Sequence, residues 1–302
     1  MKRPQQSADM APEQNGTTTV PTLGFGTYRT GGYKCYNAVK NALDCGYTHI
    51  DTAMAYENEA AVGRAIEQSS VDREDIFLTT KIKGYPEMVE YERLIEAAKG
   101  CLERLGTEYL DLLLVHWWNP LADMEETFNA LNTLVDDGLV DQIGVSNFSI
   151  KELKQAMRLS DAPIATNQIE YHPYWGDEEL VRFCQDNDVT VTAYSPLAEG
   201  RAVEDDVLRS IGDRYGKSAA QVSIRWLIQQ ENVVTIPKAA TPKHIEANID
   251  VFDFELTDRD MRRIRKLKPP FWYRENREGG SIYEARSVLG NFVPDSLYNR
   301  IA

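Results

Sequence analysis

Three strand-like segments of this chain lead directly to side chains that can hold or move a proton. They are residues 47–50 before Asp51, residues 76–80 before Lys81 and residues 110–115 before His116, and Tyr56 follows in the loop after Asp51. Helix-like sequence comes after each of them. In a parallel sheet with crossover helices, the carboxyl ends of the strands meet at one edge. We therefore expect Asp51, Tyr56, Lys81 and His116 to gather there.

Such a group of four side chains suits the protonation of an oxygen atom. A tyrosine with a pKa of about 10 is a poor acid at neutral pH, but a neighbouring ammonium stabilises its phenolate and lowers that pKa. Lys81 can supply the ammonium, and Asp51 can keep it charged and fixed. His116 can donate a hydrogen bond that orients a carbonyl oxygen beside Tyr56. An oxygen gains negative charge in this way when hydride adds to the carbon of a C=O group.

The strand–helix alternation runs through nearly the whole chain and predicts its fold. A chain of 302 residues with 42% apolar residues can bury one large core. About eight strands with helices between them are the complement of a (β/α)8 (TIM) barrel, an α/β fold with its active site at the strand carboxyl ends. We predict a single domain. The predicted strands are residues 23–26, 47–50, 76–80, 110–115, 142–145, 165–170, 189–193 and 233–236, and the predicted helices include residues 39–43, 87–105, 125–135, 150–157, 178–185, 207–215 and 219–229.

The ends and two local signals complete this picture. Residues 1–16 are polar and predict a flexible N-terminal tail rather than a signal peptide, so the barrel is expected to span residues 17–268.

Asn58 is placed to cap the helix that follows Tyr56. Gly24 and Gly26 begin a dinucleotide fingerprint, but Arg29 stands at its third glycine, so we reject a Rossmann site. The glycines instead predict tight packing at the end of the first strand.

Composition excludes several classes of function. The formal net charge is −14, which disfavours a nucleic-acid partner because phosphates need a basic face. No segment approaches the roughly 20 apolar residues that a membrane span needs, so no membrane partner is expected. The four cysteines have no metal-like spacing and fit a reducing compartment, which predicts a cytoplasmic protein. Glu170 and His172 could ligate a metal, but no third ligand stands out, and a structural role at a strand end is the better interpretation.

Several separated blocks, in order, match one known family. They are Asp51-Thr52-Ala53, Tyr56-Glu57-Asn58-Glu59, Val62-Gly63, Thr80-Lys81, Val115-His116-Trp117, Gly144-Val145-Ser146-Asn147-Phe148, Asn167-Gln168-Ile169-Glu170, Tyr194-Ser195-Pro196-Leu197 and Ile236-Pro237-Lys238. Over nearly its whole length the chain resembles the aldo-keto reductases. The resemblance implies a catalytic tetrad of Tyr56, Lys81, Asp51 and His116.

The resemblance also implies a nicotinamide cofactor that is bound without a Rossmann domain. Ser146, Asn147 and Gln168 are expected to bind its carboxamide, and Tyr194 is expected to stack on its ring. The remaining expected contacts are Ser195 and Leu197 with the pyrophosphate, Lys238 and His244 with a phosphate on the adenosine ribose, and Asn248 with the adenine.

Three residues near Lys238 depart from the pattern of NADPH-preferring members. Ala239 and His244 stand where the family often has Ser and Arg, and Ala247 stands where it often has Glu before the adenine-contacting Asn. A neutral His binds phosphate more weakly than the bidentate fork of Arg. NADPH is therefore the predicted cofactor, with NADH as the second candidate.

Short connections after His116 and Tyr194 resemble those of the short-loop microbial branch that includes 2,5-diketogluconate reductases. We expect an open substrate pocket for small aldehydes or ketones, lined by Tyr28 and Trp117, with Trp118 as a further candidate. Residues 269–302 form an aromatic C-terminal tail that either crosses the barrel mouth, as in the family, or packs on the barrel flank or on a partner chain. We expect a monomer or weak homo-oligomer.

Two functions from different classes remain open at this point. The first is reduction of an aldehyde or ketone to an alcohol, with hydride from the nicotinamide and the proton from Tyr56. The second is a non-catalytic barrel that binds NADP(H) and acts as a redox-responsive partner or structural protein. The complete tetrad favours the first.

Overall fold

The computed structural model describes residues 20–268 and contains one sheet of eight parallel strands. The strands follow one another in chain order, each paired with the next. The predictions for residues 1–16 and 269–302 lie outside the described residues. The strands are β1 (Phe25–Gly26), β2 (His49–Asp51), β3 (Phe77–Ile82), β4 (Leu110–Val115), β5 (Val140–Ser146), β6 (Ile164–Glu170), β7 (Thr190–Tyr194) and β8 (Val233–Thr235).

The first and last strands of this sheet also come together. Leu23, just before β1, forms a parallel bridge with Thr235 in β8. Gly24 N–H donates to Thr235 O at 2.8 Å, and Thr235 N–H donates to Thr22 O at 3.1 Å. The order of the strands and these bonds are consistent with the predicted (β/α)8 barrel.

Helices connect the strands, and most begin at a side chain that accepts a backbone N–H. Ser149 and Ser218 each form a capping box with the residue three positions on, and Asp123 and Asp177 cap their helices through a carboxylate. The helices are α1 (Gly32–Asp44), α2 (Glu59–Glu67), α3 (Pro86–Val89), α4 (Tyr91–Leu105), α5 (Met124–Asp136), α6 (Ile150–Leu159), α7 (Glu178–Asp186), α8 (Arg201–Glu204), α9 (Asp206–Tyr215), α10 (Ala219–Ile228), α11 (Pro242–Ile249) and α12 (Asp258–Arg265).

Two local predictions were wrong. The single helix predicted over residues 87–105 is two helices, because Glu90 adopts an extended conformation (φ −62°, ψ 150°) between α3 and α4. Asn58 occupies the N-cap position of α2, but its side chain does not cap the helix. Its amide bonds to other loops instead, because those loops offer two carbonyls within reach.

Alternation along the strands sorts side chains into two layers. In β4, Leu112 and Leu114 join a small inner cluster, whereas Leu113 and Val115 join the large core between strands and helices. Since β3 and β4 are parallel and in register, with Lys81 opposite Leu114, odd-numbered residues of β3 also face inward. The alternation along each strand therefore decides which side chains face the inside of the strand ring and can reach the site.

Across residues 20–268, no helix has the length and apolar character needed to cross a bilayer.

Candidate active site

The deepest part of the site is a buried ion pair at the carboxyl ends of β2 and β3. Lys81 Nζ lies 2.6 Å from Asp51 Oδ1 and donates a second hydrogen bond to Thr52 O at 2.7 Å. Gln168 Nε2 donates to the other oxygen of Asp51 at 2.8 Å. Burial lowers the pKa of Lys81, and the charge of Asp51 opposes that shift. The ammonium is therefore held in place but is a stronger acid than an exposed lysine.

Tyr56 lies above this pair, at the end of a single 3₁₀ turn over Met54–Tyr56. The turn closes at Glu57, which adopts the left-handed conformation at φ 54°. Lys81 Nζ is 5.0 Å from the centroid of the Tyr56 ring, and the ring itself is half-buried. The centroid of the His116 ring is 5.8 Å away, at an interplanar angle of 77°. The structure thus brings the four predicted side chains together.

Backbone contacts fix His116 at the end of β4. Its N–H donates to Ile82 O at 2.9 Å, and its carbonyl accepts from Asn147 Nδ2 at 3.1 Å. The imidazole is half-buried, so one side of it faces the mouth of the strand ring. Tyr56 and His116 are therefore the shallow members of the tetrad, and Asp51 and Lys81 the deep ones.

The two predicted substrate-pocket residues border this mouth. Tyr28 is 38% exposed, and its ring centroid is 5.1 Å from that of Tyr56. Trp117 is 8% exposed and packs against His116 at 4.7 Å and Tyr85 at 5.7 Å. Among the described residues, Trp117 Nε1 has no hydrogen-bond acceptor. Trp118, the further candidate for this pocket, packs on Phe148 with ring centroids 6.0 Å apart.

The four residues predicted to contact the nicotinamide form one chain of hydrogen bonds. Ser146 Oγ donates to Gln168 O at 2.8 Å and accepts from Asn147 Nδ2 at 3.0 Å. Tyr194 donates from its hydroxyl to Asn147 Oδ1 at 3.0 Å. The ring of Tyr194 is half-buried. Side-chain amides and a hydroxyl beside an aromatic ring match the donors, acceptors and flat face of a nicotinamide carboxamide.

The residues predicted for the rest of the cofactor follow β7 and β8. Ser195 (φ 53°) comes directly after β7, and Leu197 is followed by three more residues with positive φ, so the backbone turns sharply here. Turns that mix right- and left-handed residues form concavities that bind anions. Lys238 and His244 are exposed, with His244 in the first turn of α11, and Asn248 is buried. This arrangement fits a phosphate-bearing nucleotide.

Three contributors to the site were missed by the reasoning from sequence. Asn58 donates to Thr27 O and Thr30 O at 3.0 and 2.8 Å and accepts from Thr52 Oγ1 at 2.6 Å, so it joins the loops of Tyr28 and Tyr56. The other two are Tyr85, against Trp117, and His49, which lies below Asp51 on the same face of β2. The alternation that placed Asp51 could have identified His49.

The possible metal ligands form only a weak contact. His172 Nε2 is 3.4 Å from Glu170 Oε1. Over residues 20–268, the structure contains no group of three His, Cys, Asp or Glu residues arranged to hold a metal ion.

Comparison with known proteins agrees with this geometry. A model of the aldo/keto reductase family matches residues 22–269. The chain is 40% identical over 254 residues to the uncharacterized oxidoreductase YtbE of Bacillus subtilis, covering 82% of this chain and 89% of that protein. It is 38% identical over 266 residues to the glyoxal reductase of the same organism, covering 87% and 94%. A crystal structure provisionally named 2,5-diketo-D-gluconic acid reductase B aligns with a TM-score of 0.84 at 40% identity, covering 88% of this chain and 94% of that one. The chain therefore belongs to the aldo/keto reductase family.

Proposed function

We propose that this protein reduces aldehydes or ketones to alcohols with a reduced nicotinamide cofactor. The observation that carries the proposal is the wholly buried Lys81 ammonium, paired with Asp51 at 2.6 Å and lying 5.0 Å from the ring of Tyr56, which in turn lies beside His116. The glyoxal reductase among its relatives has the same type of activity in its name.

In the proposed mechanism Tyr56 is the proton donor. The positive charge of Lys81 stabilises the phenolate that Tyr56 leaves behind, which lowers the barrier to proton release. Asp51 holds that ammonium in position, and its second oxygen is fixed by Gln168, so the carboxylate cannot rotate away. A reduced nicotinamide, when bound by the residues named below, would supply hydride to the carbonyl carbon.

His116 and the pocket residues orient the substrate. A half-buried imidazole beside Tyr56 can donate to the same carbonyl oxygen, so the oxygen is held by two donors as it gains charge. Tyr28 and Trp117 supply aromatic walls, and the Trp117 N–H lacks an acceptor among the described residues. The substrate class is a small carbonyl compound.

For the cofactor we propose NADPH, with NADH as the second candidate. Ser146, Asn147, Gln168 and Tyr194 bind the nicotinamide end, and Ser195 and Leu197 bind the pyrophosphate. Lys238 binds a phosphate on the adenosine ribose near the amino end of α11, assisted by His244, and Asn248 contacts the adenine. An exposed lysine and a histidine form a weaker phosphate site than a lysine with the bidentate fork of an arginine, which leaves room for NADH.

We also propose the fold, the cellular compartment and the oligomeric state in which this site works. The eight strands form a closed, single-domain (β/α)8 barrel, and the Leu23–Thr235 bridge supports the closure. All four cysteines are free thiols, which supports a reducing, cytoplasmic location. We propose a monomer or weak homo-oligomer. No observation favours the non-catalytic alternative.

The test is removal of the proposed proton donor. Tyr56→Phe is expected to lower kcat for an aldehyde by about 100-fold or more, in line with the usual contribution of a general acid. Cofactor binding, measured by protein fluorescence, should change little. Tyr33→Phe, an identical substitution at an exposed position of α1, is the matched control and should keep full activity.

A panel of carbonyl compounds assayed by absorbance with NADPH and with NADH gives the cofactor preference in the same experiment. Unchanged turnover in Tyr56→Phe would rule out Tyr56 as the acid. A protein that binds the cofactor but reduces none of the panel would favour the non-catalytic alternative.

A further inference from the structure

Lys83 differs from the other partly or fully buried lysines of the described chain. Over residues 20–268 these are Lys40, Lys81, Lys83 and Lys217. Lys40 donates to Gln68 O, Lys81 pairs with Asp51, and Lys217 pairs with Asp250 and Asp253. Lys83 is half-buried and makes no hydrogen bond or ion pair with any residue between positions 20 and 268. Lys83 Nζ is not among the buried polar atoms that lack a partner, so its ammonium is accessible to solvent and to a ligand that enters the mouth.

The register of β3 and β4 places Lys83 on the side of the active site. Lys81 lies opposite Leu114, and Ile82 lies opposite Val115. One residue further along, Lys83 is level with His116, since His116 N–H donates to Ile82 O at 2.9 Å. Residues that are level on neighbouring parallel strands point to the same face, about 5 Å apart. Lys83 therefore shares the face of Lys81 and His116, one step nearer the mouth.

Contacts on both sides of Lys83 agree with that placement. Lys81, two residues earlier, bonds inward to Asp51, and Tyr85, two residues later, packs on Trp117. Gly84 lies directly against the Trp117 backbone, because a Cβ there would stand 1.7 Å from Trp117 O. The Trp117 Nε1 is a second donor without an acceptor among the described residues. Within residues 20–268, the rim beside His116 thus has an ammonium that no carboxylate pairs with, and the indole N–H near it is buried and without an acceptor.

We propose that Lys83 is a specificity-determining residue that binds a carboxylate on the substrate, so that the preferred substrates are carbonyl acids. This inference rests on the proposed carbonyl reduction. The partner is on the substrate rather than on the cofactor, because the residues proposed for the cofactor phosphates follow β7 and β8, and β1 and β2 separate those strands from β3. In a chain with a net charge of −14, an anionic substrate needs a local cation to enter the site.

The test compares two substrates that differ in one charge. 4-Carboxybenzaldehyde and methyl 4-formylbenzoate have the same reacting aldehyde, but the first carries a carboxylate and the second a neutral ester. The wild-type protein should prefer the acid in kcat/KM. Lys83→Met should lower the acid-to-ester ratio by about 10-fold or more, the range of a charge-assisted hydrogen bond, mainly through a higher KM for the acid. Activity on the ester is the internal reference, because the ratio of the two kcat/KM values cancels any change that affects both substrates.

Matched variants separate this effect from general damage. Lys83→Arg keeps the charge and should retain most of the ratio. Lys99→Met removes an exposed lysine of α4 and should leave the ratio as it is. If Lys83→Met folds poorly, Lys83→Gln takes its place, and inhibition of ester reduction by benzoate gives a second measure, with weaker inhibition expected in the variant.

The possible failures are distinguishable. If the wild-type protein reduces both aldehydes and the ratio is the same in Lys83→Met, the ammonium is merely hydrated at the rim and the inference is wrong, although carbonyl reduction stands. If the wild-type protein reduces neither these nor other aldehydes, the proposed function fails and the inference falls with it.

Discussion

Acidification should lower the free energy of unfolding through one buried histidine, His49. This side chain is 1% exposed, and its Nε2 lies 3.0 Å from Thr79 Oγ1. The Cβ of any residue larger than glycine at position 24 would stand 2.5 Å from its Nδ1, so the imidazole is tightly enclosed. Burial lowers the pKa of His49 from 6.5 to about 4, with a smaller opposing effect from Asp51 and a further lowering by Lys81. His49 is therefore neutral in the folded state at physiological pH.

The sign and size of the effect follow from proton linkage. Below its ordinary pKa of 6.5, His49 takes up a proton in the unfolded chain, but in the folded chain it does so only near pH 4. Stability is thus lost as the pH falls through 6.5, and the loss is complete below about pH 4. The full effect is about 3 kcal/mol, and the part between pH 7 and pH 5 is about 2 kcal/mol.

Urea unfolding at pH 7 and pH 5, at constant ionic strength and followed by fluorescence and circular dichroism, measures this loss. Carboxylates contribute to it in every variant, so the comparison is between proteins. In His49→Gln the free energy of unfolding should fall by about 2 kcal/mol less between the two pH values than in the wild-type protein. His244→Gln, at an exposed position, should behave like the wild type. Equal losses in wild-type and His49→Gln protein would refute the reasoning.

Two further substitutions test how the site is supported. Gly84→Ala should raise KM for a carbonyl substrate and lower the free energy of unfolding by about 2 kcal/mol, because the new methyl group collides with Trp117 O. Gly31→Ala is the control and should do neither, because no atom lies within 4 Å of the added Cβ. Similar kinetics in both variants would contradict this. Arg104→Met should lower the free energy of unfolding by about 2 kcal/mol, because it leaves the buried Glu59 carboxylate without its cation. This loss is smaller than is usual for a buried ion pair, because the Arg104 side chain is 41% exposed. Adding Glu59→Gln should recover part of that loss in urea unfolding, and a purely additive double variant would show that the two side chains are not coupled.

Strand positions and the clustering of the tetrad were predictable from the sequence because both depend on short-range patterns. The prediction for residues 110–115 agrees with β4 at both ends, and β3 is displaced by one or two residues. Once the strands are parallel, the residue that follows each one must reach the same edge. Asp51, Lys81 and His116 were therefore placed by counting, without knowledge of any distance.

Features that depend on tertiary contacts were not predictable in this way. The break at Glu90 leaves the helical spacing of apolar residues intact on both sides, so the pattern shows one helix where there are two. Asn58 has the residue type of a helix cap, but the carbonyls of Thr27 and Thr30 compete successfully for its amide. The absence of a partner for Lys83 within the described residues has no counterpart in the sequence at all.

The neutrality of His49 has a consequence for the ion pair above it. His49 and Asp51 lie on the same inward face of β2, close enough that the charges of Asp51 and Lys81 both affect the histidine pKa. A protonated His49 would be a second cation competing for the Asp51 carboxylate and would repel Lys81. Because burial keeps the imidazole uncharged, Asp51 remains committed to Lys81 through one oxygen and to Gln168 through the other. The barrel interior thus contributes to the proposed chemistry by keeping His49 uncharged, so above about pH 4 the Lys81 ammonium does not compete with a second cation at Asp51.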